Sequence, residues 1–189
     1  MAAGAVLCGG RSSRMGRDKA LVEVDGTAMA VRVAAALRDG GCDPVVAIGG
    51  DADALGALGL TVIGDGHPGE GPLGGILTAL AVASPNDGTE DTVVVVSCDV
   101  PWLTADVVAT LVRSRAGHDV AVGRTDRRQP LCAAWRSPAP AASTAAFASG
   151  ERAVHAVLDR LDVVEVDIDP AVLRNVNTPA DLSGRPDHR

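Results

Sequence analysis

Residues 91–99, DTVVVVSCD, hold four consecutive valines closed by a serine, a cysteine and an aspartate. β-Branched residues favour strand, and an unbroken apolar run, unlike an alternating one, predicts burial on both faces of a parallel sheet. Parallel strands need crossover connections, usually helices. The rest of the chain supplies them in alternation. GAVLCG reads as the first strand, and TAMAVRVAAALRDGG as a helix with Thr27 as N-cap and glycines at its end. PVVAIGG and LTVIGD are the next strands, separated by a short helix around Asp53 to Leu58. GPLGGILTALAVAS is a helix with Pro72 near its first turn, where a missing N–H costs nothing.

Beyond the valine strand, LTADVVATLVRSR is helical with Thr104 as N-cap. HDVAVGR and QPLCAAWR are strands, with TDRR as the turn between them. An Ala-rich helix, a second helix from about Arg152 to Leu161 and the strand VVEVDID follow. SPNDGTED reads as a solvated turn. The alternation predicts a three-layer α/β fold with a mostly parallel central sheet. Residues 1–183 form one domain and 184–189 a polar tail, since no internal repeat or long linker interrupts the pattern.

Bulk properties narrow the function. The 189 residues are 47% apolar but only 2% aromatic, so Ala, Val and Leu must build the core. A net charge of −7 argues against a nucleic-acid or polybasic membrane surface, though not against a small anionic ligand in a local basic site. Cys8, Cys42, Cys98 and Cys132 are far apart and contain no C-x-x-C pair, which predicts reduced thiols packed as small hydrophobes. MAAGAV lacks the basic start of a secretory leader, and no segment reaches the ~20 apolar residues that span a bilayer; a cytoplasmic protein is expected.

In open α/β sheets, ligands bind beyond the carboxyl ends of the strands. Three unusual stretches fall there. In LCGGRSSRMGRDKALV, Gly9 and Gly10 let backbone N–H groups approach an anion, and Arg11, Arg14, Arg17 and Lys19 surround one acid, Asp18. This is neither a Walker A loop nor a G-x-G-x-x-G fingerprint. In SCDVPWL, Asp99 ends the apolar strand. It either caps the turn before Pro101 or holds a hard divalent cation, and a phosphate loop on a neighbouring strand favours the cation. In GDGHPGEGPLGG, Asp65 directly follows a strand and is placed to accept hydrogen bonds from a ribose or base, unless the segment is a plain lid. His67 and Glu70 read as solvated loop residues.

In NVNTPADL, Thr178 is a candidate N-cap with Pro179 and Asp181 in the following turn. Asn175 and Asn177, two apart on an extended segment, point the same way, either into a cleft or onto the local backbone.

LCGGRSSRMGRDKALV resembles the nucleotidyltransferase signature L-A-G-G-x-S-x-R-M-G-x-D-K. With GPLGG, CDVPWL, QPLCAAW and NVNTPADL in the same order, the chain from Val6 to Leu182 resembles the molybdenum cofactor guanylyltransferases. The resemblance implies a Rossmann-like nucleotidyltransferase fold and transfer of GMP from GTP to the terminal phosphate of molybdenum cofactor (Mo-molybdopterin), releasing pyrophosphate. It implies GTP contacts by Leu7, Cys8 and Gly9 through backbone, by Lys19 to phosphates and by Asp65 to the nucleoside. Asp99 would bind Mg²⁺ and GTP, and Arg14, Asn175 and Asn177 match positions tied to activity or pterin handling. Lys19, Arg14 and Asp99 are thus the expected catalytic set, with apo-molybdoenzymes or other molybdenum cofactor proteins as further partners. Two departures stand out: Cys8 replaces the usual alanine, and Ile48, Gly49 or Gly50 stands where a polar residue is usual. The rival readings are the sister cytidylyltransferase, disfavoured by LCGG and PLGG, and a non-catalytic cofactor-delivery protein.

Overall fold

The computed structural model describes residues 2–9, 18–82, 91–178 and 181. Its frame is a seven-stranded sheet formed by β1 (Ala2–Leu7), β4 (Cys42–Ile48), β5 (Thr61–Ile63), β6 (Asp91–Ser97), β7 (Val120–Arg124), β8 (Arg128–Ser137) and β9 (Val163–Asp167). The order is β5-β4-β1-β6-β8-β7-β9. All strands run parallel except β8, which pairs antiparallel with both β6 and β7.

Helices cover both faces, so the sheet is the middle of three layers. α1 (Met29–Asp39), α2 (Ala52–Ala57) and α4 (Ala105–Ser114) pack with Val6, Val94 and Val96 on one face. α3 (Pro72–Val82), α5 (Ala141–Ala148) and α6 (Val154–Leu158) pack with Ala5, Leu7, Val93 and Val95 on the other. Val93 to Val96 are all fully buried, two to each face, which is why that strand reads as a continuous apolar run. Each contributes about 1.5–3 kcal/mol of burial energy. Trp135 on β8 is also fully buried and anchors the α3–α5–α6 side.

Thr104 accepts from the Val107 N–H and starts α4 as predicted. Thr27 does not cap α1. It lies in β3 (Thr27–Ala28), which pairs with β2 (Glu23–Val24) across a turn in which Asp25 and Gly26 both take positive φ. Asp-Gly is the preferred pair for such a two-residue hairpin turn, so the chain leaves a small hairpin directly into the helix at Met29. Asp51 caps α2 by accepting from Ala54 N–H, one residue before its first turn. The helix expected from about Arg152 is shorter, because the Glu151 carboxylate accepts the Arg152 and Ala153 N–H groups in a turn before α6. The SPNDGTED turn, apart from Asp91, and residues 182–189 lie outside the described residues. Among the described residues no helix is long and apolar enough to cross a membrane.

Candidate active site

The parallel strands deliver their carboxyl ends to one edge, where backbone hydrogen bonds extend the pairing into the loops. Cys8 and Gly9 N–H both donate to the Ile48 carbonyl (2.9 and 3.2 Å), Gly49 N–H donates to Ile63 (2.8 Å), and Cys98 N–H donates to Leu7 (3.1 Å). Gly49 has φ +70°, and a Cβ there would stand 3.1 Å from the Gly9 Cα. Only glycine allows β1 and β4 to close this tightly.

These ends floor a cleft of about 640 Å³ walled by Leu7, Gly9, Ile48, Asp65, Gly71 and Ser97. Asp65 is fixed rather than free. Its Oδ1 accepts from His67 N–H (2.9 Å) and lies 3.2 Å from the Thr78 hydroxyl, whose single hydrogen is shared with the Gly74 carbonyl at 3.0 Å. Thr78 is buried, sits in the otherwise apolar α3 and also accepts from Gly66 N–H. A lone threonine in GGILTALAV was the available signal for this support.

Beside the cleft, Lys19 Nζ donates to Asp99 Oδ2 at 2.9 Å and to Asn177 Oδ1 at 2.7 Å. The Lys19 and Asp99 side chains are 20% and 18% exposed, so this is a partly dehydrated ion pair open on one side. Asp18, the one acid among the cations of this stretch, shapes the turn that aims Lys19. Its carboxylate accepts from Ala20 N–H (3.0 Å) and Asp51 N–H (3.2 Å). The Asn177 segment is drawn in by Val176 N–H donating to the Asp99 carbonyl (2.9 Å). Asp181 then secures it, its carboxylate accepting from Asn177 N–H (2.8 Å), Thr178 N–H (2.7 Å) and the Thr178 hydroxyl (3.0 Å). The bond from Asn177 N–H, followed by those from Thr178, holds the Asp181 carboxyl below the usual carboxylate range.

Asn175 lines a smaller cavity of about 160 Å³ with Asp99, Gln129 and Leu131. Ser97 and Leu131 belong to both spaces, so the cavity and the main cleft meet along them. Leu131 reaches this position through a bulge: between Val122 and Gly123 the β7 pairing jumps from Ala133 to Gln129, and residues 130–132 swell out of the ladder. Gln129 and Leu131 were read only as part of a strand.

The structure therefore gathers Leu7, Gly9, Lys19, Asp65, Asp99, Asn175 and Asn177 around one edge of the sheet. Cys8 is buried and turned into the α1 side of the core, where its side chain meets Cys98. That hydrogen bond, and then burial, raise the Cys98 thiol well above its ordinary pKa. Gly10, Arg11, Arg14 and Arg17 lie outside the described residues. Of Ile48, Gly49 and Gly50, the three candidates for the usual polar position, Ile48 lines the cleft, and its carbonyl is already engaged by Cys8 and Gly9.

Among the described residues no three His, Cys, Asp or Glu side chains gather to cage a metal. Among the described residues, the oxygen donors beside Lys19 are the Asp99 carboxylate and the Asn177 amide, with Ser97 and Asn175 lining the same cavity as Asp99. Such a set fits Mg²⁺, which is usually held by one or two carboxylates together with substrate phosphates and water. It does not fit a tightly caged structural ion.

A doubly covered sheet with one reversed strand thus carries, beyond its strand ends, a glycine-walled cleft flanked by a lysine–carboxylate pair. Residues 4–164 match the MobA-like NTP transferase domain, and the chain belongs to that family. It is 35% identical over 185 residues to the molybdenum cofactor guanylyltransferase of Xanthomonas euvesicatoria pv. vesicatoria, covering 95% of this chain and 92% of that protein. It is 34% identical over 183 residues to the molybdenum cofactor guanylyltransferase of Rhodobacter capsulatus, with 96% and 93% covered. Its fold is similar to the crystal structure of molybdopterin-guanine dinucleotide biosynthesis protein A from Archaeoglobus fulgidus, with TM-score 0.76, 26% identity, and 96% and 95% of the two chains covered.

Proposed function

We propose that this chain transfers GMP from GTP to the terminal phosphate of Mo-molybdopterin, giving the guanine dinucleotide form of the cofactor and pyrophosphate. The observation that carries this reading is the Lys19–Asp99–Asn177 cluster, whose Asp99 lines the smaller of two spaces that meet along Ser97 and Leu131. The larger cleft, with Leu7, Gly9 and Asp65, takes the nucleotide, and the smaller one, with Asn175 and Gln129, takes the phosphate end of the acceptor. The names of the relatives point the same way.

Nucleotidyl transfer is mainly positioning and charge neutralisation at the α-phosphate and the departing pyrophosphate. Lys19 supplies a cation held in place before substrate arrives, and Asp65 offers a fixed acceptor for the nucleoside. Asp99, with substrate phosphates, would hold Mg²⁺, which when bound neutralises phosphate charge. The acceptor phosphate is already an anion, so no general base is needed. Arg14 and Gly10 complete the proposed phosphate loop. The substrates are GTP and the cofactor, the setting is cytoplasmic, and apo-molybdoenzymes would receive the product.

The test is incubation with GTP, Mg²⁺ and molybdenum cofactor, reading pyrophosphate and the dinucleotide. Product from CTP but not GTP would convert the reading to the cytidylyl reaction, and binding without pyrophosphate would make the chain a carrier. Asp99→Asn should abolish pyrophosphate release while leaving the fold intact; near-normal turnover would remove Asp99 from the chemistry.

A further inference from the structure

The loop of residues 65–71 presents Asp65 to the cleft, yet its conformation is set from outside. The loop is rich in glycine, and Gly69 and Gly71, both at positive φ, wall the cleft. A segment of this kind orders only if something holds it. Arg152, beyond the end of α5, is the holder. Its Nη1 donates to the Phe147 and Glu151 carbonyls, both at 2.8 Å, and its guanidinium lies 4.0 Å above the Phe147 ring. Nε and Nη2 grip the Glu70 carboxylate on the loop. Phe147 in turn meets the His67 ring edge-on, with centroids 4.6 Å apart.

Two points of the loop, residues 67 and 70, are thereby fastened to α5. His67 is also the residue whose N–H orients Asp65. The packing behind it is tight, since a Cβ on Gly74 would come within 2.7 Å of the His67 Cβ. Charge adds a second consequence. Glu70 sits between two cleft-wall glycines, on the rim of a space proposed for a polyphosphate, and Arg152 covers that charge.

We infer that Arg152 is a positioning residue for the nucleotide cleft, clamping residues 67–70 so that Asp65 stays aimed at the ligand and Glu70 stays neutralised. This rests on reading that cleft as the nucleotide site. An exposed ion pair alone contributes little, but here one planar group serves a carboxylate, two carbonyls and a ring at once. Lysine cannot reproduce that geometry.

The test measures equilibrium affinity for GTP with Mg²⁺, kcat and the melting temperature in the intact protein, its Arg152→Ala and Arg152→Lys variants, and Glu70→Gln. Arg152→Ala should weaken GTP binding about 5- to 10-fold with kcat within about twofold, the scale of one ordinary net hydrogen bond. Arg152→Lys should recover only part of this. Glu70→Gln in the Arg152→Ala background should restore part of the affinity by removing the uncovered charge. Unchanged affinity in a folded Arg152→Ala protein overturns the inference. So does a loss of kcat and affinity that tracks a fall in melting temperature. If the unaltered protein prefers another nucleoside triphosphate, the guanylyl reading fails while the Arg152 effect is still read on that nucleotide.

Discussion

Lys19 Nζ joins Asp99 and Asn177, partners 80 and 158 residues away, in one hydrogen-bonded cluster. The contact ties the loop after β1 to the end of β6 and to the last described segment of the chain. The cation is therefore positioned before any phosphate arrives, which is the condition under which electrostatic stabilisation is effective. Lys19→Met should lower kcat/KM for pyrophosphate release by about 10²–10³-fold. Lys19→Arg should recover little, because a planar fork cannot sit between a carboxylate and an amide as an ammonium does. Turnover within threefold of the parent in a folded Lys19→Met protein would exclude Lys19 from the reaction.

The Asp181 turn makes the Asn177 segment sensitive to acid. The folded-state pKa of Asp181 is lowered, first by the Asn177 N–H and then by the Thr178 groups. Its contribution to holding the segment is therefore present above the ordinary carboxylate value and lost as pH falls through the lowered one. Between pH 5 and 8 the turn should be intact. Hydrogen exchange at the Asn177 and Thr178 amides should be slow across that window and faster in Asp181→Asn at every pH. Equal protection in the two proteins would show that these bonds do not order the segment.

Trp102 holds the same segment from below. It is buried with Val24, Met29 and Val176, and the Arg174 guanidinium lies 4.2 Å above its ring. Trp102→Ala should cost about 3–5 kcal/mol of unfolding free energy, as for other large aromatic truncations. Denaturant titration measures this. Trp102→Phe should keep most of the stability, and a Trp102→Ala loss below 1 kcal/mol would show that the packing contributes little.

The four thiols are free and buried. Burial pushes the Cys42 and Cys132 thiols up to about 12, so almost no thiolate forms near neutrality. A disulfide reagent at pH 8 should leave both unmodified in the native protein and label all four cysteines after denaturation. Rapid native labelling at Cys42, read by peptide mass, would contradict the burial.

Much of this arrangement is legible in the residues. The valines of β6 announce a doubly covered sheet because a strand with one wet face would alternate with polar residues, and Asp65 and Asp99 follow from where strands end, with Lys19 in the loop that opens after β1. What escapes is whatever depends on a local choice between two good patterns. Residues 27–39 have helical periodicity throughout, and that pattern hid the Asp25–Gly26 turn that makes Thr27 a strand residue. Long-range side-chain partners escape for another reason. That Asn177 meets Lys19 depends on the last segment pairing with the Asp99 carbonyl, and no spacing encodes this. Arg152 looked like an ordinary residue in a predicted helix, since its partners Glu70 and Phe147 come from two other parts of the chain.

The bulge at residues 130–132 separates two jobs that a regular strand would force together. β8 keeps its register with β6 from Cys132 onward and resumes its pairing with β7 at Gln129, while Leu131 between them shapes the wall where the two spaces meet. Because β8 is the reversed strand, it is its start that reaches this wall. A residue gained or lost there would reshape the boundary between the two spaces while the β6 pairing from Cys132 onward holds the core side chains on their faces. The bulge thus decouples the shape of this wall from the register of the sheet beneath it.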